Sequence, residues 1–294
     1  MNLAKLRRHL LPGVSWKNPV LASLFEALNP LDNWLRARKG VDFAELPTYA
    51  HRIRSNGARR QLGGKRFINE GNRMTSALEK FGGLKRCSEI LEIGCGCGRN
   101  AFALARNGYA GSRYVGMDIE QVSLEACQRN EALLRKGFRF ELMDIQNDEY
   151  NPNGEVPAEE FVFPFNDSSF DLIFLVSVFT HMKTSDVANY IAEMSRMTKP
   201  GGISLFTAFL MDEGTSFKTM SFPFKEDQHY FFNKELPEIA LGYEYEFLKA
   251  EFAKHGLNPS TPPQMGSWRG LSDVSVKHLF AQDLLAFRRP TSAA

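Results

Sequence analysis

Ser88–Asn100 reads Ser-Glu-Ile-Leu-Glu-Ile-Gly-Cys-Gly-Cys-Gly-Arg-Asn, an apolar run closed by an acid and followed by three glycines at alternate positions. The run predicts a buried strand that breaks into a glycine turn and resumes as a helix near Arg99. Gly94, Gly96 and Gly98 have no Cβ, so the backbone there can turn sharply and let a ligand approach. The first N–H groups of the following helix, with its positive dipole end, face whatever the turn holds. Spacing narrows the choice of ligand. A dinucleotide loop runs G-x-G-x-x-G, whereas here Gly98 follows Gly96 by two and Glu92 precedes Gly94 by two, giving E-x-G-x-G-x-G. A carboxylate so placed repels a pyrophosphate and suits a cationic group.

Outward from this stretch, strand and helix patterns alternate. Arg113–Asp118 is the second strand, followed by a helix over Glu120–Lys136 and a third strand over Phe138–Met143. A polar connection, Gln146–Ser169, leads to a fourth strand over Phe170–Val176, almost wholly apolar as a central parallel strand should be. A helix over Ser185–Thr198, with Ser185 as candidate N-cap, carries one apolar stripe of Val187, Tyr190, Ile191, Met194 and Met197. Lys199-Pro-Gly-Gly ends it, and Ile203–Leu210 is the fifth strand. Leu257 and Gln282–Arg288 mark two last strands, expected as an antiparallel hairpin. The pattern predicts an α/β fold: a doubly wound, mostly parallel seven-stranded sheet with helices on both faces.

The acid-then-glycines motif, repeated strand-helix order and Lys-Pro-Gly-Gly turn resemble the class I S-adenosylmethionine-dependent methyltransferases over Ser88–Leu210. The resemblance implies S-adenosyl-L-methionine as cofactor, with Glu92, Gly94, Cys95, Gly96, Gly98, Asp118, Ile119, Asp144, Ile145 and Ser177 as its binding set. Asp118, at the end of the second strand, is placed to accept both ribose hydroxyls; as a helix-start acid it would instead serve the dipole. The resemblance gives Asp144 the adenine amino group and sets Ile119 and Ile145 about the ring. From the residues alone, Asp144 could equally cap a turn. His181 lies just past the fourth strand, where an imidazole can take a hydroxyl proton as a methyl group arrives. It could also serve only as a backbone hydrogen-bonding residue at a helix start.

Before Leu84 the chain lacks strand alternation and shows helical pieces, notably Val20–Leu28 and Asn69–Phe81, separated by Pro30, Gly40, Pro47, Gly57 and Gly63–Gly64. Residues 1–84 are therefore read as a helical cap and 85–294 as a catalytic domain, with a lid insertion around 211–256. Through Arg66 there are 13 Lys and Arg against 4 Asp and Glu, although the whole chain has a formal net charge of only +2. This basic segment either docks on the acidic remainder or meets an anionic partner. Arg52 and Arg54 could reach an anionic acceptor; surface exposure is the favoured alternative.

The 294 residues, 43% of them hydrophobic, can bury a large core. The four cysteines are not spaced as a zinc knuckle, and neither a metal nor a disulfide framework is indicated. A reducing, cytoplasmic setting fits best. No apolar run reaches the length of a membrane span. The basic start lacks a clean apolar stretch leading to a cleavage site, which argues against a secretory signal and leaves a transit peptide open. The expected activity is methyl transfer to a hydroxyl of a small-molecule, glycan-like or secondary-metabolite acceptor. Methylation of nitrogen and a catalytically silent binding subunit are the alternatives, nucleic acid is not expected, and the oligomeric state is left open.

Overall fold

The alternating pattern builds a sheet and its helices. In chain order the elements are α1 (Pro19–Ala27), α2 (Asn29–Arg38), α3 (Tyr49–Asn56), α4 (Lys65–Phe81), β1 (Glu89–Ile93), α5 (Arg99–Arg106), β2 (Arg113–Asp118), α6 (Gln121–Gln128), α7 (Glu131–Leu134) and β3 (Arg139–Leu142). There follow β4 (Phe170–Leu175), α8 (Thr184–Met197), β5 (Thr198–Ala208), β6 (Leu210–Met211), β7 (Phe224–Glu226), β8 (His229–Phe231), β9 (Leu241–Glu244), α9 (Tyr245–Lys254), β10 (Asn258–Pro259) and β11 (Asp283–Arg288). The computed structural model describes residues 19–38, 46–57, 61–109, 112–148, 150–211, 221–235, 237–270 and 280–291. The basic start with Lys5, Arg7, Arg8 and Lys17, and part of the expected lid, lie outside them.

Seven strands form one sheet in the order β10-β11-β5-β4-β1-β2-β3, with β1–β4 and β4–β5 parallel and β11 antiparallel to both β5 and β10. The mostly parallel seven-stranded sheet with surrounding helices is thus present, as are N-terminal helices. Its centre is apolar because β4 is buried nearly throughout: Leu172, Ile173, Phe174 and Leu175 are wholly inaccessible. Four further strands form a second sheet, β6-β9-β8-β7, from the segment expected as an insertion.

The chain divides into two units that interleave in sequence. The first comprises Met1–Thr75, Cys95–Gly111 and Gly116–Leu142; the second comprises Ser76–Gly94, Ser112–Val115 and Met143–Ala294. In the first, α1 meets α3 through Phe25, Tyr49 and Ile53, and the Phe25 and Tyr49 rings sit edge to face at 6.2 Å. In the second, Phe206, Phe252 and Phe287 stack, the last two with centroids 4.1 Å apart.

Several local expectations are corrected. Pro30 does not separate helices; it lies in the first turn of α2, where its missing N–H has no intrahelical partner to lose. Between Pro47 and Gly57 stands α3, started by Thr48, whose hydroxyl accepts from the His51 N–H. The helix expected over Glu120–Lys136 breaks, and Asn130 caps the second piece by accepting from the Leu133 N–H. Ser185 is inside α8, and Asp186 reaches back to the Lys183 N–H at 3.0 Å. Strand β5 begins at Thr198, taking in the Lys-Pro-Gly-Gly segment.

Arg52 and Arg54 are neither acceptor-reaching nor simply solvated. Arg52 is fully buried and pairs with Asp32 at 2.6 Å, which also accepts from the Gly63 N–H. Arg54 pairs with Glu120. A buried guanidinium requires such a carboxylate, and the partner lies 20 residues away for Arg52 and 66 for Arg54.

Candidate active site

The residues singled out in the sequence fall in both units: Cys95, Gly96, Gly98, Asp118 and Ile119 in the first; Glu92, Gly94, Asp144, Ile145, Ser177 and His181 in the second. In the first unit, the glycine turn is closed by its own backbone and by three side chains. The Cys95 N–H donates to the Met117 carbonyl at 2.9 Å and the Gly98 N–H to the Cys95 carbonyl at 3.0 Å. Between them the Gly96 N–H donates to Asp118 Oδ2 at 2.6 Å, and the Cys97 N–H to Ser55 Oγ at 3.1 Å. Cys127 Sγ donates to the Gly96 carbonyl at 3.5 Å. Gly98, at φ +81°, begins α5, and a Cβ there would stand 2.7 Å from Cys127 Sγ. A glycine is required on both counts.

Four successive N–H groups, Cys95 to Gly98, therefore already have acceptors within the protein. A loop that cradles phosphate presents such groups unpaired. Asp118 is the point of this turn suited to a ligand. It is half-buried and accepts backbone N–H groups from Gly96 and from Glu120 at 2.8 Å, with the Ile119 N–H a third donor, which leaves part of its acceptor capacity for hydroxyl donors. Burial pushes its carboxyl up to about 6, against the lowering effect of those N–H groups. Ile119 beside it is half-buried.

Ser55 carries no sequence signal. It comes from α3, rests its Cβ 3.1 Å from where a Gly96 Cβ would stand, and donates to Ser123 Oγ at 2.8 Å. Ser123 donates in turn to Glu120, the partner of Arg54. Asn56 adds a contact from Nδ2 to Cys97 Sγ at 3.7 Å and accepts from Arg99 at 2.7 Å. Helix α3 is thus fastened directly to the turn and to the residues after Asp118.

In the second unit, Glu92 is buried in β1 and accepts from the Tyr114 hydroxyl. Gly94 ends that strand at φ +76°, and a Cβ there would collide with Val178 Cγ2 at 2.4 Å. Asp144 is exposed; its Oδ1 accepts from the Glu155 N–H at 3.2 Å, the turn-closing contact that the residues alone allowed. Ile145 is buried and bridges Val156. Ser177 adopts φ +59°, rare for a residue with a side chain. Its N–H donates to Thr207 Oγ1 at 2.9 Å and its hydroxyl to Gln282 Oε1 at 2.9 Å, which hold the strained turn just after β4.

His181 ends the 3-10 turn Phe179–His181, half-buried, with Nδ1 2.9 Å from the Glu238 carbonyl and its ring 5.6 Å edge-on to Tyr150. A carbonyl only accepts, so Nδ1 carries a proton, and in the neutral ring the lone pair is then on Nε2, the tautomer a base requires. The buried Tyr243 hydroxyl holds this turn by donating to the Phe179 carbonyl at 3.0 Å and to that of Met182. His229, in β8 of the second sheet, is buried with Nδ1 2.8 Å from Thr184 Oγ1, and burial lowers its pKa. In the 3-10 turn Ser267–Arg269, both Trp268 and Arg269 donate to the inaccessible carboxylate of Asp283, so this turn holds structure.

Residues 91–206 match the family described as a methyltransferase domain. Methyltransferase GfsG of Streptomyces halstedii is 29% identical over 135 residues, covering 45% of this chain and 41% of that protein. The tRNA N(3)-cytidine methyltransferase METTL2 of Bos taurus is 28% identical over 130 residues, covering 43% of this chain and 31% of that protein. Across the first curated relatives, the matched stretch spans 31% to 57% of their length. Among solved structures, the cyclase SpnF superposes with a TM-score of 0.51 at 16% identity, covering 92% of this chain and 97% of that one. At that identity the likeness is one of fold. No helix among the described residues is long and apolar enough to cross a membrane.

Proposed function

Because the chain carries a class I S-adenosylmethionine-dependent methyltransferase domain, we propose that it moves a methyl group from that cofactor to a hydroxyl of a small-molecule or glycan-like acceptor. The observation that carries the reading is the glycine turn: its four N–H groups are paired internally, while Asp118 keeps acceptor capacity. This fits a cofactor with ribose hydroxyls and no phosphate better than a dinucleotide.

In this reading Asp118 takes the ribose hydroxyls, Ile119, Asp144 and Ile145 surround the adenine, and Glu92 gives the cationic end of the cofactor a negative environment. Gly94, Cys95, Gly96 and Gly98 shape the turn, and Ser177 turns the chain after β4. The cofactor supplies an electrophilic methyl group on a sulfonium sulfur. His181 takes the acceptor's hydroxyl proton on Nε2 while the Glu238 carbonyl holds Nδ1–H. The remaining requirement is alignment, for which effective molarities reach about 10⁵–10⁸ M. Residues 1–84 are proposed to act as a cap and 211–256 as a lid over the acceptor.

Two comparisons define what a test must separate. The relative METTL2 is named for tRNA, and SpnF is a cyclase with this fold, so the fold does not dictate the chemistry. Incubation with labelled cofactor and a panel of hydroxyl and amine small molecules and tRNA, read by mass, should give a methylated hydroxyl product. His181→Gln should lower its turnover about 10²–10⁴-fold with cofactor affinity retained. Label in tRNA or on nitrogen would overturn the acceptor class, and parental turnover in His181→Gln would remove the base.

A further inference from the structure

Three neutral side chains of the second unit, Ser177, Thr207 and Gln282, meet at the carboxyl edge of its strands. Ser177 follows β4, Thr207 is the last residue but one of β5, and Gln282 precedes β11, whose Asp283 pairs in register with Ala208. The Ser177 N–H donates to Thr207 Oγ1 at 2.9 Å, and the Thr207 and Ser177 hydroxyls donate to Gln282 Oε1 at 2.6 and 2.9 Å. Thr207, having accepted the N–H, has its own proton to give, which sets Oε1 of the amide toward the two hydroxyls. Nε2 is thereby turned away from them with two N–H donors, and among the described residues no group accepts from it. Gln282 is half-buried and Ser177 beside it exposed, so the amide end is open.

The chemistry of this donor selects its ligand. Two hydroxyls on one carbonyl oxygen polarise the amide and strengthen its N–H groups as donors. None of the three side chains carries a charge, and the adjacent Asp283 is spent on Gly266, Leu210, Trp268 and Arg269. A carboxylate or phosphate calls for a cation or several donors, whereas a lone amide suits a neutral carbonyl or hydroxyl oxygen. Placement ties the amide to the acceptor. Ser177, at a φ of +59°, has the kind of strained backbone that gathers at ligand sites. It begins the loop that His181 ends; four residues span at most about 14 Å. The bond from the His181 N–H to the Val178 carbonyl at 2.9 Å shortens that loop further. The amide bonded to Ser177 thus lies about a small molecule's length from the histidine.

Resting on the hydroxyl-acceptor reading above, we infer that Gln282 selects the acceptor by donating from Nε2 to a second, neutral oxygen, a hydroxyl or carbonyl neighbouring the hydroxyl that is methylated. The test gives the full chain labelled S-adenosylmethionine with matched acceptors, catechol against phenol and a vicinal cyclohexanediol against cyclohexanol, and reads products by mass. The member with the second oxygen should be favoured at least about tenfold in kcat/KM, because its partner leaves the amide donor unpaired. Gln282→Glu keeps an oxygen for the Ser177 and Thr207 hydroxyls and replaces the N–H donors with an acceptor. It should lose the preference through a KM raised about tenfold or more for the dioxygenated member, with affinity for S-adenosylhomocysteine within about twofold of the parent's. Should thermal unfolding show that Gln282→Glu folds poorly, the parent's own preference within each pair still decides. Hydroxyl methylation without that preference, a preference that survives in folded Gln282→Glu, or a matching loss of S-adenosylhomocysteine affinity would each overturn the proposal and leave the hydroxyl reading standing. No methylated hydroxyl from any member would overturn that reading and the proposal with it.

Discussion

Asp118 and Asp283 are both acids at strand ends, one in each unit, and their surroundings differ in kind. Asp283 is inaccessible and saturated: Gly266 and Leu210 donate backbone N–H groups at 2.7 and 2.9 Å, Trp268 donates Nε1–H at 2.9 Å, and Arg269 Nε donates at 3.1 Å. Asp118 accepts only backbone N–H groups, from Gly96, Glu120 and Ile119, with no cationic side chain on it, and remains half-buried. A saturated carboxylate fixes structure, whereas one with remaining lone pairs and partial access can take a ligand. The number and placement of donors, more than position at a strand end, distinguishes the two.

The contrast breaks most visibly at Asp283. Asp283→Ala leaves the Arg269 guanidinium buried without its carboxylate and strips three further donors of their acceptor. Loss of one partner of a buried pair costs about 3–5 kcal/mol, so denaturant unfolding should show a drop of that order. A change below about 1 kcal/mol would place Asp283 with surface pairs instead.

Tyr243→Phe probes the second unit at a smaller scale. It removes the hydroxyl that holds the Phe179 and Met182 carbonyls and should cost about 1–3 kcal/mol in stability. Because that turn ends at His181, turnover should fall further than cofactor affinity does. Equal losses in both would detach Tyr243 from positioning the histidine.

The glycine turn was legible in the sequence because its constraints are local. Gly98 needs a left-handed backbone within a few residues of the strand it follows, and Asp118 ends the next strand. Ser55 was not legible, since a serine on a helix 42 residues upstream of Cys97 reveals nothing until the chain folds back. The sequence places Ser177 past the fourth strand, but its left-handed backbone is not one that a serine advertises. Arg52 read as surface because arginines are mostly exposed, and only the distant Asp32 makes its burial tolerable. The apolar stripe of α8 was plain because its period repeats over fourteen residues and every stripe member is buried.

The smallest effect concerns pH. Burial pushes the Asp118 carboxyl up to about 6, above its ordinary value of 3.8. The folded protein without cofactor holds this proton more tightly than the unfolded chain, so the group's contribution to stability is lost as pH rises through about 6. Cofactor binding runs the opposite way, because ribose hydroxyls donate to the carboxylate form. Affinity should be level above that value and fall by up to about tenfold per pH unit below it, as titration calorimetry across the range would show. A flat profile would separate Asp118 from the ribose.

The first unit's turn should accept a cofactor with ribose hydroxyls and reject a dinucleotide. Calorimetry of the full chain with S-adenosylmethionine and with NAD, repeated on Asp118→Ala, tests this directly. The parent should bind S-adenosylmethionine and not NAD. The variant should weaken S-adenosylmethionine by about 10²–10⁴-fold, through loss of two charge-assisted hydrogen bonds of about 1.5–3 kcal/mol each. Binding of NAD by the parent, or an unchanged affinity for S-adenosylmethionine in Asp118→Ala, would contradict it.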